Sequence, residues 1–212
     1  MYTIGIDEAG RGALAGPVVV GAVAVPYGFN LRIKHLPKLK DSKALSSRQR
    51  EVWYQYIQEN PLIFSTSARI YQKKIDKINI TQSANIAASY AFEGLLNKLK
   101  FSKLPKILLD GSLYLGSKDH KVIPSKTIVR GDEKINSIKL ASIVAKVTRD
   151  RYLEKLDRRY PEYRFGSHKG YGTKAHFLAI KKYGVLDVHR LTYLKPRTKI
   201  KHKIRAISTK MQ

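Results

Sequence analysis

Residues 2–25 read Tyr2-Thr-Ile-Gly-Ile-Asp-Glu-Ala-Gly-Arg-Gly-Ala-Leu-Ala-Gly-Pro-Val-Val-Val-Gly-Ala-Val-Ala-Val25. Two apolar, β-branched runs, residues 2–6 and 18–25, flank a segment with glycine at 10, 12 and 16. Such runs favour strands and glycine favours a bend between them, so the stretch predicts an antiparallel pair. Asp7 and Glu8 fall where the first strand runs into the bend. Adjacent side chains of a regular strand point to opposite faces, so both acids can serve one site only if the backbone turns there. Gly10-Arg11-Gly12 offers that turn.

Outward from this hairpin, Ser46 or Ser47 is placed to cap a helix through Val52, Trp53, Tyr56 and Ile57 that stops before Pro61. Residues 62–70 read as a further strand. Thr81 opens a helix in which Ala84, Ala88, Ala91, Leu95 and Leu99 recur at helical spacing. The short apolar run 107–109 ends in Asp110-Gly111, and residues 121–129 supply another strand. A long helix over residues 135–156 places Ile138, Ala141, Val144, Ala145 and Val147 inside and Lys146, Arg149 and Arg151 outside. Thr173 starts a last helix after Gly170-Tyr171-Gly172. Strands that come first and then alternate with helices predict an α/β fold, a mixed sheet with helices packed on it. No repeat or Gly/Ser linker divides the chain, so residues 1–194 are expected to form one domain.

The 212 residues include 41 Lys and Arg against 16 Asp and Glu, a formal net charge of +25. That excess points to a polyanion, because basic contacts to phosphate release counterions and dominate nucleic-acid affinity. Solubility or codon bias would also produce it. Residues 195–212 hold seven basic residues and no acid, and read as a tail that touches phosphates non-specifically. Without the tail, 34 basic residues still face the same 16 acids, so the folded part must present a basic face. The lack of cysteine excludes disulfides, Cys–zinc sites and thiol nucleophiles. With 43% hydrophobic residues the chain can bury a core, which excludes a wholly disordered basic protein. No apolar run reaches the ~18 residues of a membrane span. Two acids stand where a signal peptide would be apolar, so a cytoplasmic protein is expected.

Asp110, like Asp7 and Glu8, stands at the end of an apolar strand and before glycine. Ligand sites of open α/β sheets collect outside the carboxyl ends of strands, so a shared carboxylate cluster is one reading. Taken singly, Asp-Glu at a strand end can merely cap a loop, and Asp-Gly is an ordinary turn pair. Bare carboxylates at a nucleic-acid face would repel the ligand and raise one another's pKa. Hard divalent cations solve both problems, since Mg²⁺ prefers oxygen ligands and bridges to phosphate. Two such ions about 3.5–4 Å apart are the usual engine of phosphodiester hydrolysis.

The segment from Gly5 to Val18 closely resembles the N-terminal signature of ribonuclease HII, with Ala13 where that signature often has proline. Asp41-Ser-Lys43 with Leu45-Ser46 is similar to the family's second block, and Asp110-Gly111 to its third. Gly131-Asp132, followed by Ala141-Ser-Ile-Val-Ala-Lys-Val-Thr-Arg-Asp-Arg151, is similar to its fourth. Gly166-Ser-His-Lys-Gly-Tyr-Gly-Thr173 and His189-Arg190 complete the series, in family order over residues 4–193. The tail from Lys195 has no clear family counterpart.

The resemblance implies an RNase H-like mixed sheet flanked by helices, with a helical C-terminal extension. It implies Asp7, Glu8, Asp110 and Asp132 as catalytic, metal-holding acids for two Mg²⁺ or Mn²⁺ ions. Asp132 is hard to choose from chemistry alone, since an acid at a helix start has a structural use of its own. The implied reaction cuts the phosphodiester 5′ to a ribonucleotide, leaving a 3′-hydroxyl and a 5′-phosphate. One metal would activate water and the other stabilise the leaving oxygen. Substrates would be RNA/DNA hybrids and single ribonucleotides in duplex DNA, handled by a monomer with no membrane partner. Gly10, Arg11 and Gly12 would read the 2′-hydroxyl, and Tyr171 would stack on the next deoxyribose. Lys43, Lys146 and Arg149 would meet phosphates; His168 is given no catalytic role. Arg11, where ribonuclease HIII usually has lysine, favours ribonuclease HII. The alternatives are a ribonuclease HIII-like nuclease that cuts only hybrids and a non-catalytic basic nucleic-acid-binding protein.

Overall fold

The computed structural model describes residues 1–99, 105–116 and 124–194. Five strands, β1 (Tyr2–Ala9), β2 (Val18–Pro26), β3 (Phe64–Ile70), β4 (Lys106–Asp110) and β5 (Lys126–Ile128), form one sheet in the order β3-β2-β1-β4-β5. The pairs β1–β2 and β2–β3 are antiparallel, whereas β1–β4 and β4–β5 are parallel. The sheet is mixed, as the strand pattern predicts. The helices are α1 (Ser47–Glu59), α2 (Gln72–Ile78), α3 (Ile80–Lys98), α4 (Gly131–Lys134), α5 (Asn136–Arg159), α6 (Phe165–His168), α7 (Lys174–Tyr183) and α8 (Leu191–Leu194).

Both faces of the sheet are covered. Ile4, Ile6, Val18, Val20, Ala22 and Ala24 pack on Ala84, Ala88, Ala91 and Leu95 of α3. Val23 and Val25 pack on Leu140, Ala141 and Val144 of α5, with Trp53 and Ile57 of α1 completing that layer. Burial on both sides explains why β2 is a continuous apolar run rather than an alternating one. A third cluster joins Leu153 and Leu156 of α5 to Phe165, Ile180 and Val185, and it takes in Leu14 and Ala15 of the β1–β2 loop. The C-terminal helices therefore pack directly against that loop.

Helix α5 lies unusually close to the sheet. A Cβ on Gly5 of β1 would fall 2.1 Å from the Ser137 carbonyl carbon, and one on Gly21 of β2 2.4 Å from the Ala141 carbonyl oxygen. Only glycine allows backbone to meet backbone at those two crossings.

Ser46 caps α1 in a reciprocal box with Gln49, and Thr173 caps α7. The other helix starts differ from expectation. Helix α3 begins at Ile80, not Thr81, because the Asn79 side chain accepts the Gln82 N–H while its backbone takes φ 68°. The helix expected over residues 135–156 runs from Asn136 to Arg159 and is preceded by the separate turn α4, and the strand expected over residues 62–70 starts at Phe64. Residues 121–123 of the expected fifth strand and the tail 195–212 lie outside the described residues.

Gly5→Ala is expected to lower stability by ~3 kcal/mol, the upper range for forced overpacking, because neither backbone can yield easily. Denaturant unfolding would show this as a lower midpoint at an unchanged slope. An unchanged midpoint would refute the close-approach argument.

Candidate active site

Strand β1 continues to Ala9, with Asp7 opposite Gly21 and Glu8 opposite Val20 on β2. The turn expected at the two acids comes after them, at Gly10, whose φ is 91°. Asp7 and Glu8 therefore leave the strand on opposite faces, which corrects the expectation that the backbone bends to converge them. Asp7 shares the α5 face with Gly5 and is buried; its carboxylate accepts the Glu8 N–H at 2.7 Å and a hydrogen bond from Ser142. Ser142 is in turn tied to Ser42 at 2.7 Å.

Asp110 ends β4, and its Oδ1 accepts the N–H groups of Gly131 at 2.6 Å and Asp132 at 3.1 Å. One carboxylate oxygen thus satisfies two free donors at the start of α4, and fixes the backbone that carries Asp132. Ligand oxygens of Asp7, Asp110 and Asp132 lie within 4.8 Å of one another. Lys43, in a 3-10 turn capped by Asp41, reaches Asp132 with its Nζ at 2.9 Å.

Glu8 stands apart from that group. It pairs loosely with Arg11 at 3.6 Å, and its Oε2 is buried without a hydrogen-bond partner. Even so it shares one cleft of about 470 Å³ with Asp7, Asp110, Lys43, Lys146, Tyr171 and the bend from Gly10 to Gly12. Burial is the main reason the Glu8 pKa is pushed up to about 7, with Asp110 adding repulsion against relief from Arg11 and Lys43. Burial likewise raises Asp7, with repulsion from Glu8 and then Asp110 adding to it, and raises Asp110, with repulsion from Asp132 adding to it. Clustered, desolvated oxygen donors with an unfilled lone-pair site are the donor set of a hard divalent cation. The residues present fit such an ion.

The basic residues divide. Lys43 is open to solvent, and Lys146 lines the cleft while paired with Asp150 at 2.8 Å. Arg149 is fully buried and donates to the carbonyls of Pro17, Lys169 and Ala15 at 3.1, 2.9 and 3.2 Å. The expectation that Arg149 meets phosphate is therefore corrected: the β1–β2 loop and the Lys169 carbonyl cover its face of α5 and take its donors. Gly10 rests on that side chain, since a Cβ there would be 2.0 Å from Arg149 Nε, whereas Gly12 has open space where a Cβ would be. Tyr171 bridges to Ala13 across the cleft wall, partly exposed, with Arg149 over its ring at 5.3 Å. His168 has one ring nitrogen against the Tyr163 carbonyl and the other accepting the Gly170 N–H. Ser42, Ser142 and Arg190 were not assigned roles from sequence; Arg190 was visible only as half of a terminal His-Arg pair.

The family whose model matches the chain is Ribonuclease HII, over residues 4–205. The chain belongs to the ribonuclease HII family. A ribonuclease HII from Mycoplasma mycoides subsp. mycoides SC is 44% identical over 94% of this chain and 89% of its own length. One from Bacillus cytotoxicus is 43% identical over 96% of this chain and 72% of its own. Among solved structures, the ribonuclease H2 from Pyrococcus horikoshii OT3 superposes with a TM-score of 0.67 at 28% identity, covering 91% of this chain and 93% of that one. The sheet and its helices are thus an RNase H-like fold, and the chain is an enzyme of ribonuclease H type. The family match runs past Leu194, so residues 195–205 of the tail do have family counterparts, contrary to expectation. No helix among the described residues is long and apolar enough to cross a membrane.

The raised Glu8 pKa makes a signed prediction. A carboxyl at about 7 in the folded chain and at its ordinary 4.5 unfolded adds stability that is complete below 4.5 and lost as pH rises through 7. Metal-free enzyme in EDTA should therefore lose thermal stability between those values, and Asp7, also raised, should act in the same direction. Glu8→Gln should match the parent near pH 4.5 and exceed it at pH 8. Equal melting temperatures at pH 8 would refute the assignment.

Proposed function

We propose that this ribonuclease HII family member is a divalent-metal-dependent endonuclease that cuts the phosphodiester 5′ to ribonucleotides. Its substrates are RNA/DNA hybrids and single ribonucleotides embedded in duplex DNA, and its products carry a 3′-hydroxyl and a 5′-phosphate. The observation that carries the reading is the sharing of one cleft by the carboxylates and by a glycine bend with free backbone donors. Asp7, Asp110 and Asp132, with Glu8 beside them, would hold two ions, Mg²⁺ or in its place Mn²⁺. When bound, such ions lower the pKa of water and neutralise charge on the phosphate.

The chain's own residues supply position and selection. Asp110 sets the backbone of Asp132, and Ser142 orients Asp7, so both acids stand ready before substrate arrives. Lys43, at the open rim, supplies a cation to a neighbouring phosphate, and Lys146 stands deeper in the same cleft. Selection of RNA needs a contact with the 2′-hydroxyl, the one sugar group that DNA lacks. The bend Gly10–Arg11–Gly12 can approach a sugar closely because no Cβ intervenes at Gly12. The half-exposed ring of Tyr171 offers the next deoxyribose a stacking surface.

The test uses a DNA duplex with one ribonucleotide and an RNA/DNA hybrid, each with Mg²⁺ or with EDTA. Metal-dependent cutting 5′ to the lone ribonucleotide supports the proposal. Cutting of the hybrid alone would assign a ribonuclease HIII-like specificity, and no cutting of either would leave a binding protein. Asp110→Asn keeps an oxygen for the Gly131 and Asp132 N–H groups but loses the charge. It should abolish turnover while leaving duplex binding largely intact, and cutting at the normal rate would refute the metal-site assignment.

A further inference from the structure

Arg190 is completely buried, and among the described residues no carboxylate pairs with it. Its guanidinium instead spends its donors on the β1–β2 loop. Nη2 donates to the Gly10 carbonyl at 2.8 Å, Nη1 to the Arg11 carbonyl at 2.7 Å, and Nε to the Gly16 carbonyl at 3.1 Å. The Tyr193 hydroxyl donates to the same Arg11 carbonyl at 3.0 Å. Burial, with repulsion from Arg149, lowers the Arg190 pKa to about 10, so the group stays charged at neutral pH.

The segment that carries Arg190 is itself held on both sides. The Arg190 N–H donates to the Leu14 carbonyl at 2.7 Å, and the Gly16 N–H donates to the Val188 carbonyl at 2.9 Å. On the far side, the Asp76 carboxylate of α2 accepts the N–H groups of Leu191 at 2.9 Å and Thr192 at 3.0 Å. Arg190 is thus a fixed cation behind a loop whose front lines the catalytic cleft.

A peptide group is conjugated, so a cation on its carbonyl oxygen draws electron density from its nitrogen and strengthens its N–H as a donor. The Gly10 carbonyl belongs to the peptide that carries the Arg11 N–H, and the Arg11 carbonyl to the one that carries the Gly12 N–H. Among the described residues neither of these N–H groups has an acceptor. Both carbonyls are engaged from behind, so the bend meets a substrate with its donors.

We propose that Arg190, assisted by Tyr193, is the positioning residue for 2′-hydroxyl recognition. It locks the Gly10 and Arg11 carbonyls and polarises the Arg11 and Gly12 N–H groups that donate to the 2′-oxygen. The inference rests on the functional reading above, in which this bend reads the ribose. Loss of Arg190 should then weaken ribonucleotide selection more than it weakens duplex binding, which a purely structural residue would not do.

The experiment compares two duplexes, all-DNA and the same sequence with one ribonucleotide. Binding is followed by fluorescence anisotropy with Mg²⁺, in the Asp110→Asn background so that no substrate is consumed. The background enzyme should prefer the ribonucleotide duplex. Arg190→Met should reduce that preference by about tenfold or more, the worth of buried bonds from a charged donor, with affinity for all-DNA little changed. Tyr193→Phe removes one hydroxyl and should reduce it about fivefold in a protein that folds normally. Arg190→Lys, a point charge that cannot span three carbonyls, should fall between the parent and Arg190→Met. If Tyr193→Phe and Arg190→Lys both keep the full preference, the inference fails while the reading of the bend stands. If the background enzyme itself shows no preference, the reading of the bend fails and takes this inference with it.

Discussion

The backbone contact between α5 and the sheet governs where everything else in this molecule can stand. Gly5 and Gly21 remove the two Cβ atoms that would hold the helix off, and the helix drops onto β1 and β2 at its Ser137 and Ala141 turns. Asp7 follows Gly5 by two residues on the same face of β1, so it points at the next part of that helix, where Ser142 meets it. The turn α4 immediately precedes α5 and is thereby delivered to the end of β4, where Asp110 takes its free N–H groups. Asp7 meets Asp110 and Asp132, which follow it by more than a hundred residues in the chain, because one helix sits close. A larger residue at either glycine would shift all three relative positions together.

A protein with a net charge of +25 nevertheless holds Asp7, Glu8 and Asp110 at raised pKa values. Local desolvation outweighs the long-range field, because solvent screens distant charges within about 10 Å whereas the loss of water at a buried oxygen is unscreened. The same fold buries two arginines by the opposite solution. Arg149 and Arg190 meet six backbone carbonyls and leave little for a ligand, while Glu8 Oε2 is left without a partner. Buried charge is satisfied by the protein in one layer and left open in the adjacent one. Glu8 Oε2 is the unpartnered carboxylate oxygen that lies in the cleft, beside the cluster of Asp7, Asp110 and Asp132.

The hairpin, the Ser46 and Thr173 caps, and the mixed sheet were legible because each follows from short-range pattern. Asp110 was legible because it stands at the end of an apolar run. Asp132 was not, since its place depends on hydrogen bonds to Asp110 across more than twenty residues. Arg149 read as one member of a solvated charge run, and the loop from Gly10 to Pro17 together with the Lys169–Tyr171 segment turns its face of α5 into interior. The separation of Glu8 from the three aspartates was hidden by the length of β1, which persists past both acids. The family resemblance supplied Glu8 and Asp132 as site residues without saying that Glu8 stands apart from the three aspartates.

The contact between Lys43 and Asp132 joins a movable group to a fixed one. Lys43 is 77% exposed at its side chain, and its Nζ still lies 2.9 Å from an almost fully buried carboxylate. The exposed ammonium loses little when such a pair opens, because water replaces its partner and its flexible stem regains freedom, whereas the buried carboxylate left behind needs another cation. Asp132 has no comparable freedom: its backbone is pinned by Asp110 and its side chain is walled in. The acid is therefore permanent and its lysine exchangeable. A rigid cluster of anions faced by a movable cation can accept a second cation without rebuilding, and the lysine released is left at the rim where a phosphate would lie.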